Sequence, residues 1–481
     1  MNPTRTDWLN KIKTLLEARK VNPKLVSTRL PGKGPHPRGA QKLEVGMEPV
    51  DQDPKYMEKL AKHLSAYSIA GPAEKQSRDP AELIGDVQKK VERNLEWGIE
   101  RYQRDLPVEA GRSEGWYPGA SKITKRFSDR FGHPEEVVAT VLASQSPQKD
   151  WYQNVSLGER ILHIHREHQE TPWSREMEQT TAKVFKKNKK HQAILGEIRG
   201  KRLADLSDPV HKAAWIRLYD EAHHPSHYRE ITPEGEFGDH VVGQSGKKNK
   251  VAWQGFATIA KAVKAIESKG DMDILDNALG KKHKVRSFYN NMLDPAEGEP
   301  DTETPEIVVP SKKIIAPSRE VVTPSEPSEE PRGSVTGDTW HFRAANAKPG
   351  EPSNSKMISA GLGGSPSSKK IGLHGTYGLY ATATRNVAGQ RGMRPSAAQS
   401  VVWDMYRTIP TPKGRKENIE KLHGALKSGE MSHEDFLKAM DKEVGTTIAP
   451  TWANTSISQK RESTFLSEAV RKIIEKLQKI I

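Results

Sequence analysis

The sequence predicts an all-α protein, and three observations carry that prediction. Apolar residues recur at helical spacing over long stretches, strand-like alternation is scarce throughout, and no glycine-rich phosphate loop follows a strand-like run. Helix starts are also marked by Asp-Pro and Pro signals, which preset the first turn.

In chain order, residues 4–19 form an amphipathic helix with Trp8, Ile12, Leu15 and Leu16 on one face. Residues 20–50 carry Pro, Gly and scattered Lys/Arg, a composition for a basic linker. Helical patterning resumes at Lys55. Asp79-Pro80 then starts a long helix in which Val87, Val91, Leu95, Ile99 and Tyr102 keep the helical period. After a turn at Gly115–Ala120 come helices over Ser121–Phe131, from His133-Pro134 to near Ser146-Pro147, and from Asn154 to about Ile164. Residues 166–250 read as an insertion rich in charge and histidine, with a helix at Lys212–Ala222. Helices follow over Val251–Ser268 and, either side of a basic turn, over Leu275–Met292. Residues 293–333 are rich in Pro, Glu and Ser, and no packed structure is expected there. A helix begins after Asp338, another at Pro395, and charged helices occupy about 415–443 and 459–480. The last of these carries Phe465, Leu466, Val470, Ile473, Ile474 and Leu477 at helical spacing, which suits protein docking or self-association. The organisation expected is therefore 1–50, a helix and basic linker; 51–292, the first part of the body, with its charged insertion at about 166–250; 293–333, a disordered insert; 334–410, the second part of the body; and 411–481, charged C-terminal helices.

The chain has 481 residues, enough for two or three domains, yet only 34% are hydrophobic and 29% are charged. The formal net charge of +14 favours a polyanionic partner, of which nucleic acid is the commonest. With no cysteine, a disulfide framework, a thiolate zinc site and an iron–sulfur cluster are excluded. No run of about 18 apolar residues and no signal-peptide core is present, so a soluble cytoplasmic protein without membrane attachment is expected. Glu221, His223 and His227 have spacings that a metal could use, but Pro225 breaks the helix that would align them, and neither metal nor cofactor is expected.

The richest stretch is Ser334–Ala345, reading Ser-Val-Thr-Gly-Asp-Thr-Trp-His-Phe-Arg-Ala-Ala. Asp338 there either caps its own helix or points its carboxylate into whatever lies before the helix N-terminus, where the dipole favours negative charge. Lys281, Lys282, Lys284 and Arg286 form the best local phosphate-binding cluster. Trp116, Trp151, Trp215 and Trp403 are expected in the core.

Three stretches together resemble the helix-hairpin-helix DNA glycosylases, the superfamily that includes endonuclease III. Val141–Gln148 (Val-Leu-Ala-Ser-Gln-Ser-Pro-Gln) resembles the helix end whose Gln fills the gap left in the DNA stack, with Gln145 or Gln148 in that role. Leu279–Val285 (Leu-Gly-Lys-Lys-His-Lys-Val) resembles the hairpin, with Gly280 on its first glycine, Lys282 where its second glycine stands, and Lys284 on the lysine nucleophile. Val335–Arg343 resembles the Val-Asp-Thr-His-Val-Phe-Arg stretch, which places Asp338 on the catalytic aspartate and sets His341 and Arg343 among the DNA-contacting residues. The order along the chain is also the family's, and the likeness spans about residues 115–410. Within the family type the chain is similar to phage-encoded proteins, through Trp116–Ala120, Ser146–Asn154 and Trp215–His223, so a host-cytoplasmic or virion setting is implied.

The resemblance implies a helical body with disordered inserts and helical tails, which flips a damaged or modified base out of phage or host DNA and excises or modifies it. Lys284 would attack the sugar C1′ and Asp338 would steady the developing oxocarbenium. Plainer roles stand beside these. Lys284 can bind phosphate with its basic neighbours, Gln145 can cap a helix, His341 can sit against its helix, and Asp338 can serve as a cap alone. The alternative whole-protein reading is a catalytically inactive DNA-binding or virion-associated module.

Overall fold

The computed structural model describes residues 54–67, 79–147, 149–185, 188–231, 236–243, 246–280, 283–293, 334–352, 354–362, 376–409 and 411–444. Among them the protein is all-α apart from one small hairpin. The helices are α1 (Pro54–Ala66), α2 (Pro80–Asp105), α3 (Pro107–Glu114), α4 (Trp116–Phe131), α5 (Glu135–Gln145), α6 (Trp151–Glu167), α7 (Arg175–Phe185), α8 (Lys189–Ile198) and α9 (Pro209–His223). After β1 (Arg229–Ile231) and β2 (Phe237–His240) come α10 (Phe256–Glu267), α11 (Met272–Leu279), α12 (His283–Met292), α13 (Thr339–Ala345), α14 (Lys356–Gly361), α15 (Thr376–Gln390), α16 (Pro395–Thr408), α17 (Lys413–Ser428) and α18 (His433–Val444). The strands pair antiparallel, with Arg229 opposite His240 and Ile231 opposite Phe237.

Local chemistry sets these boundaries. Asp79, Asp150, Asn188, Asp208, Asp271 and Asp338 each cap a helix by accepting from backbone N–H groups of its first turn. Proline occupies the first turn of α2, α3, α9 and α16, where its missing N–H costs nothing.

The helices bury two separate cores. The first lobe is continuous in sequence, its core running from Tyr117 on α4 to Leu293 after α12, with Phe127, Val138, Ile161, Trp215 and Ile259 among its members. The second lobe joins the two ends of the described chain: Leu60, Leu64, Val87, Val91 and Tyr102 pack with Phe342, Tyr380, Val401, Tyr406, Phe436 and Met440. Polar contacts lock this union. Buried Arg101 on α2 pairs with Asp441 on α18, and Asn94 donates to the Ala345 carbonyl at 2.9 Å. Asp404 on α16 accepts from both Tyr102 and Ser113 at 2.7 Å.

Several expectations are refined here. The 166–250 stretch is a folded part of the first lobe, because Met177, Val184, Phe185, Leu195, Trp215 and Leu218 are buried in its core despite the charge around them. The stretch expected as one helix at about 415–443 divides at Gly429, which takes a left-handed conformation. The expectations for residues 1–50, for 294–333 and for the 459–480 helix fall outside the described residues.

Candidate active site

The segment Ser334–Asp338 runs between the lobes toward α13 and is pinned from both sides. From the first lobe, Asn290 and Asn291 on α12 donate to the Ser334 and Thr336 hydroxyls at 3.2 and 3.0 Å. From the second, the Tyr377 hydroxyl donates to the Val335 carbonyl at 2.8 Å and accepts from Gly337 N–H at 2.9 Å. Burial pushes the Tyr377 phenol up to about 12, so it stays protonated for this double role. A Cβ on Gly337 would lie 3.2 Å from the Tyr377 ring, so any larger residue there would press on the ring that holds the segment.

Asp338 combines both of the roles that were open for it. One carboxylate oxygen caps α13, accepting from Trp340 and His341 N–H at 2.9 and 3.1 Å. The other accepts from the Trp403 indole N–H at 2.8 Å and faces a cavity of about 270 Å³ between the lobes. Three donors thus fix the carboxylate, and its lone pairs face whatever enters the cavity.

The cavity is walled by rings. Trp116, Trp151, Trp340 and Trp403 line it with Tyr117 and Phe288. Trp116 lies 5.0 Å from Trp151 and 6.3 Å from Trp403 between ring centroids. Two guanidinium groups stack on these walls, Arg407 over Trp403 and Arg343 over Trp340, each at 4.2 Å. Of the four tryptophans expected in the core, only Trp215 is fully buried. Trp116, Trp151 and Trp403 are half-buried because each presents a face to the cavity.

The hairpin lysine Lys284 lines the same cavity from the first turn of α12, so the structure brings Lys284 and Asp338 together. Gly280 ends α11 in a left-handed turn (φ 67°) that only glycine takes easily. Arg286 is spent on that turn: its guanidinium donates to the Gly280 carbonyl at 2.7 Å and pairs with Asp276. Lys281, Lys282 and Gln148 lie outside the described residues. Gln145 is placed differently from a residue that plugs a DNA gap. Its side chain is fully buried and donates to Ser144 and to the Thr258 carbonyl at 3.0 and 3.1 Å. His341 is likewise fully buried, 3.1 Å from the Thr384 hydroxyl, and desolvation lowers it to about 4, so it is a neutral packing residue. Arg343 is largely buried, donating to the Glu351 carbonyl at 2.5 Å while it stacks on Trp340.

Other cavity residues escaped sequence reasoning. Lys149 offers a second amine, and burial lowers it below the ordinary lysine range. Asn154 is buried at the cavity wall, and among the described residues its side-chain oxygen has no hydrogen-bond partner. Gln399 accepts from the Tyr117 hydroxyl at 2.7 Å. The Asp150-Trp151 helix start was a visible signal for this wall, but only the fold shows that α6 begins at the cavity.

The metal spacing considered at Glu221, His223 and His227 is not assembled. Glu221 pairs with Lys183 and Arg217, and His223 engages the Ser174 hydroxyl at 3.0 Å. No helix among the described residues is long and apolar enough to cross a membrane.

Compared with known families, residues 87–198 match a family of unknown function (DUF7178). No curated protein and no solved structure matches the chain. The matched segment holds Trp116, Lys149, Trp151 and Asn154, while Lys284, Asp338 and Trp403 lie beyond it.

Proposed function

We propose that the protein is a DNA-binding enzyme whose inter-lobe cavity receives one base turned out of DNA, and that Asp338 and a cavity lysine act on that nucleotide. The observation that carries this reading is the meeting of Asp338 and Lys284 at one ring-walled cavity, in a chain of net charge +14. The cavity volume lies at the low end of small-molecule sites, which suits a single planar heterocycle better than a peptide or a sugar chain. Rings on several sides supply stacking for an unpaired base, worth about 1–3 kcal/mol per stacked base. The unpartnered Asn154 oxygen and Gln399 are suited to read the edge of that base.

In base excision, the lysine nitrogen attacks C1′ as the bond from C1′ to the base breaks, and the base leaves with the bonding electrons. Asp338, held by its three donors, stabilises the positive charge that develops on the sugar. The lysine nitrogen, now bonded to C1′, loses a proton and pushes open the C1′–O4′ bond, O4′ and the departed base each take up a proton from solvent, and the Schiff base so formed is hydrolysed by water to free the lysine. Lys284 is the expected nucleophile and Lys149 the competitor. Excision and chemical modification of a base both fit this geometry, and the substrate is a damaged or modified base of phage or host DNA.

Binding of the purified protein to duplex and single-stranded DNA across a salt series tests the partner. Expected is a steep fall of affinity with salt, with Asp338→Asn binding like wild type. Absence of binding at low salt contradicts the reading.

A further inference from the structure

Far from the cavity, α6 and α9 end side by side, and each end is capped by a histidine. His168 is the C-cap of α6 and His224 that of α9, while His163 stands in the last turns of α6. One ligating atom from each of these three residues lies within 4.8 Å of the other two, and all three side chains are half-buried, within reach of solvent. We propose that His163, His168 and His224 form a binding site for a borderline divalent cation, zinc first among them.

The surroundings are built as they are around metal-bound histidines. Asp220, only 2% exposed, is paired with Arg160 at 2.8 Å, accepts from Trp253 at 3.1 Å and accepts from His224 Nδ1–H at 3.0 Å. That bond fixes the tautomer of His224 and leaves Nε2 as the ligand, the carboxylate–histidine arrangement that orients metal ligands. His168 Nδ1 engages the Tyr219 hydroxyl at 3.0 Å and Thr171 at 3.3 Å, again leaving Nε2 clear.

Geometry and field favour the cation too. Tetrahedral zinc with bonds of about 2.1 Å needs nitrogens about 3.4 Å apart, so shifts of under about 1 Å per ring close the site. His168 and His224 sit at the C-termini of two helices, where the partial negative charge of the helix end favours a cation. Three imidazoles with no thiolate select zinc and its borderline neighbours over magnesium or calcium. Three protein ligands leave a fourth position for water or a partner's side chain. On α6, His163 and His168 lie about 18 and 25 Å along the helix from its cavity end, so the ion would clip α6 to α9 and take no part at Asp338.

The test uses the full-length protein, stripped with chelator and titrated with ZnCl2 by calorimetry and with CoCl2 by visible spectroscopy. Expected are one ion per chain and an intense Co(II) spectrum of a four- or five-coordinate site. His163→Ala and His224→Ala should each weaken zinc by about tenfold or more. Among the described residues the His163 side chain makes ring contacts with His168 and His224 and no side-chain hydrogen bond, so its substitution should leave the fold intact, which circular dichroism of the metal-free variant checks. Failure of the wild type to bind zinc in excess overturns the proposal. So does uptake unchanged in both variants, which would put the ion elsewhere, or a Co(II) spectrum like that of the hydrated ion.

Discussion

The two lobes are made of the same material and assembled in opposite ways. The first lobe is one continuous run, α4 to α12, folded back on itself so that Gln145 on α5 reaches Thr258 on α10. The second is a union of α1–α3 with α13–α18, and its closing contacts span hundreds of residues, as Arg101 with Asp441 and Tyr102 with Asp404 show. A continuous lobe can form as soon as its own residues are available. A divided one must close a long loop first, at an entropic cost that rises slowly with loop length. The cavity lies where they meet, so Asp338 is held by α12 of one lobe, through the segment before it, and by Trp403 of the other.

The largest expected effect follows from this contrast. A chain of residues 115–293 alone should retain a cooperative melt and near-ultraviolet circular dichroism, whereas residues 334–444 alone should show neither. A folded 334–444 fragment would break the comparison.

Single core truncations sharpen it. Trp215→Ala in the first lobe and Phe342→Ala in the second should each cost about 3–5 kcal/mol, because both side chains are almost wholly buried. Urea melts followed by tryptophan fluorescence should show each loss in its own lobe's transition.

Acidification should weaken the second lobe next. The second lobe buries His341 and half-buries His423 and His433, each lowered to about 4 chiefly by desolvation. Their folded values lie below the unfolded value near 6.5, so the unfolded chain binds protons first as pH falls. Stability is therefore full above pH 6.5 and is lost between about 6.5 and 4, by a few kcal/mol in total. The second lobe's transition should fall over that window when melts are repeated at each pH.

Smaller effects belong to the site itself. Gly337→Ala crowds the Tyr377 ring and should cost about 1–3 kcal/mol. Trp403→Phe removes one donor from Asp338 and should cost about 1 kcal/mol of stability, with a larger loss in any chemical step than in DNA affinity.

What was legible in the sequence follows the same division. Helix starts at Asp79-Pro80 and Pro395 and the cap at Asp338 are local signals, and all are found in the fold. The meeting of Lys284 with Asp338 was expected only through a resemblance, and in the fold both line one cavity. Trp116, Trp151 and Trp403 read as core because aromatic residues at helical spacing usually are, and periodicity does not report that a helix start abuts a second lobe. Gln145 sits at the end of a helix buried on all sides, so a polar residue there is spent inside. Lys149 and the histidine trio depend on helix ends brought together from distant positions, which no local spacing encodes.

The central claim is the joint role of Asp338 and a cavity lysine, and borohydride trapping on duplexes carrying damaged or modified bases addresses it most directly. Expected is a covalent protein–DNA adduct that is lost in Lys284→Ala, strongly reduced in Asp338→Asn, and retained in Lys149→Ala, with DNA binding preserved in all three. An adduct that persists in Lys284→Ala and vanishes in Lys149→Ala would move the nucleophile to α6's approach. No adduct on any base, with binding intact, would contradict lysine chemistry in this cavity.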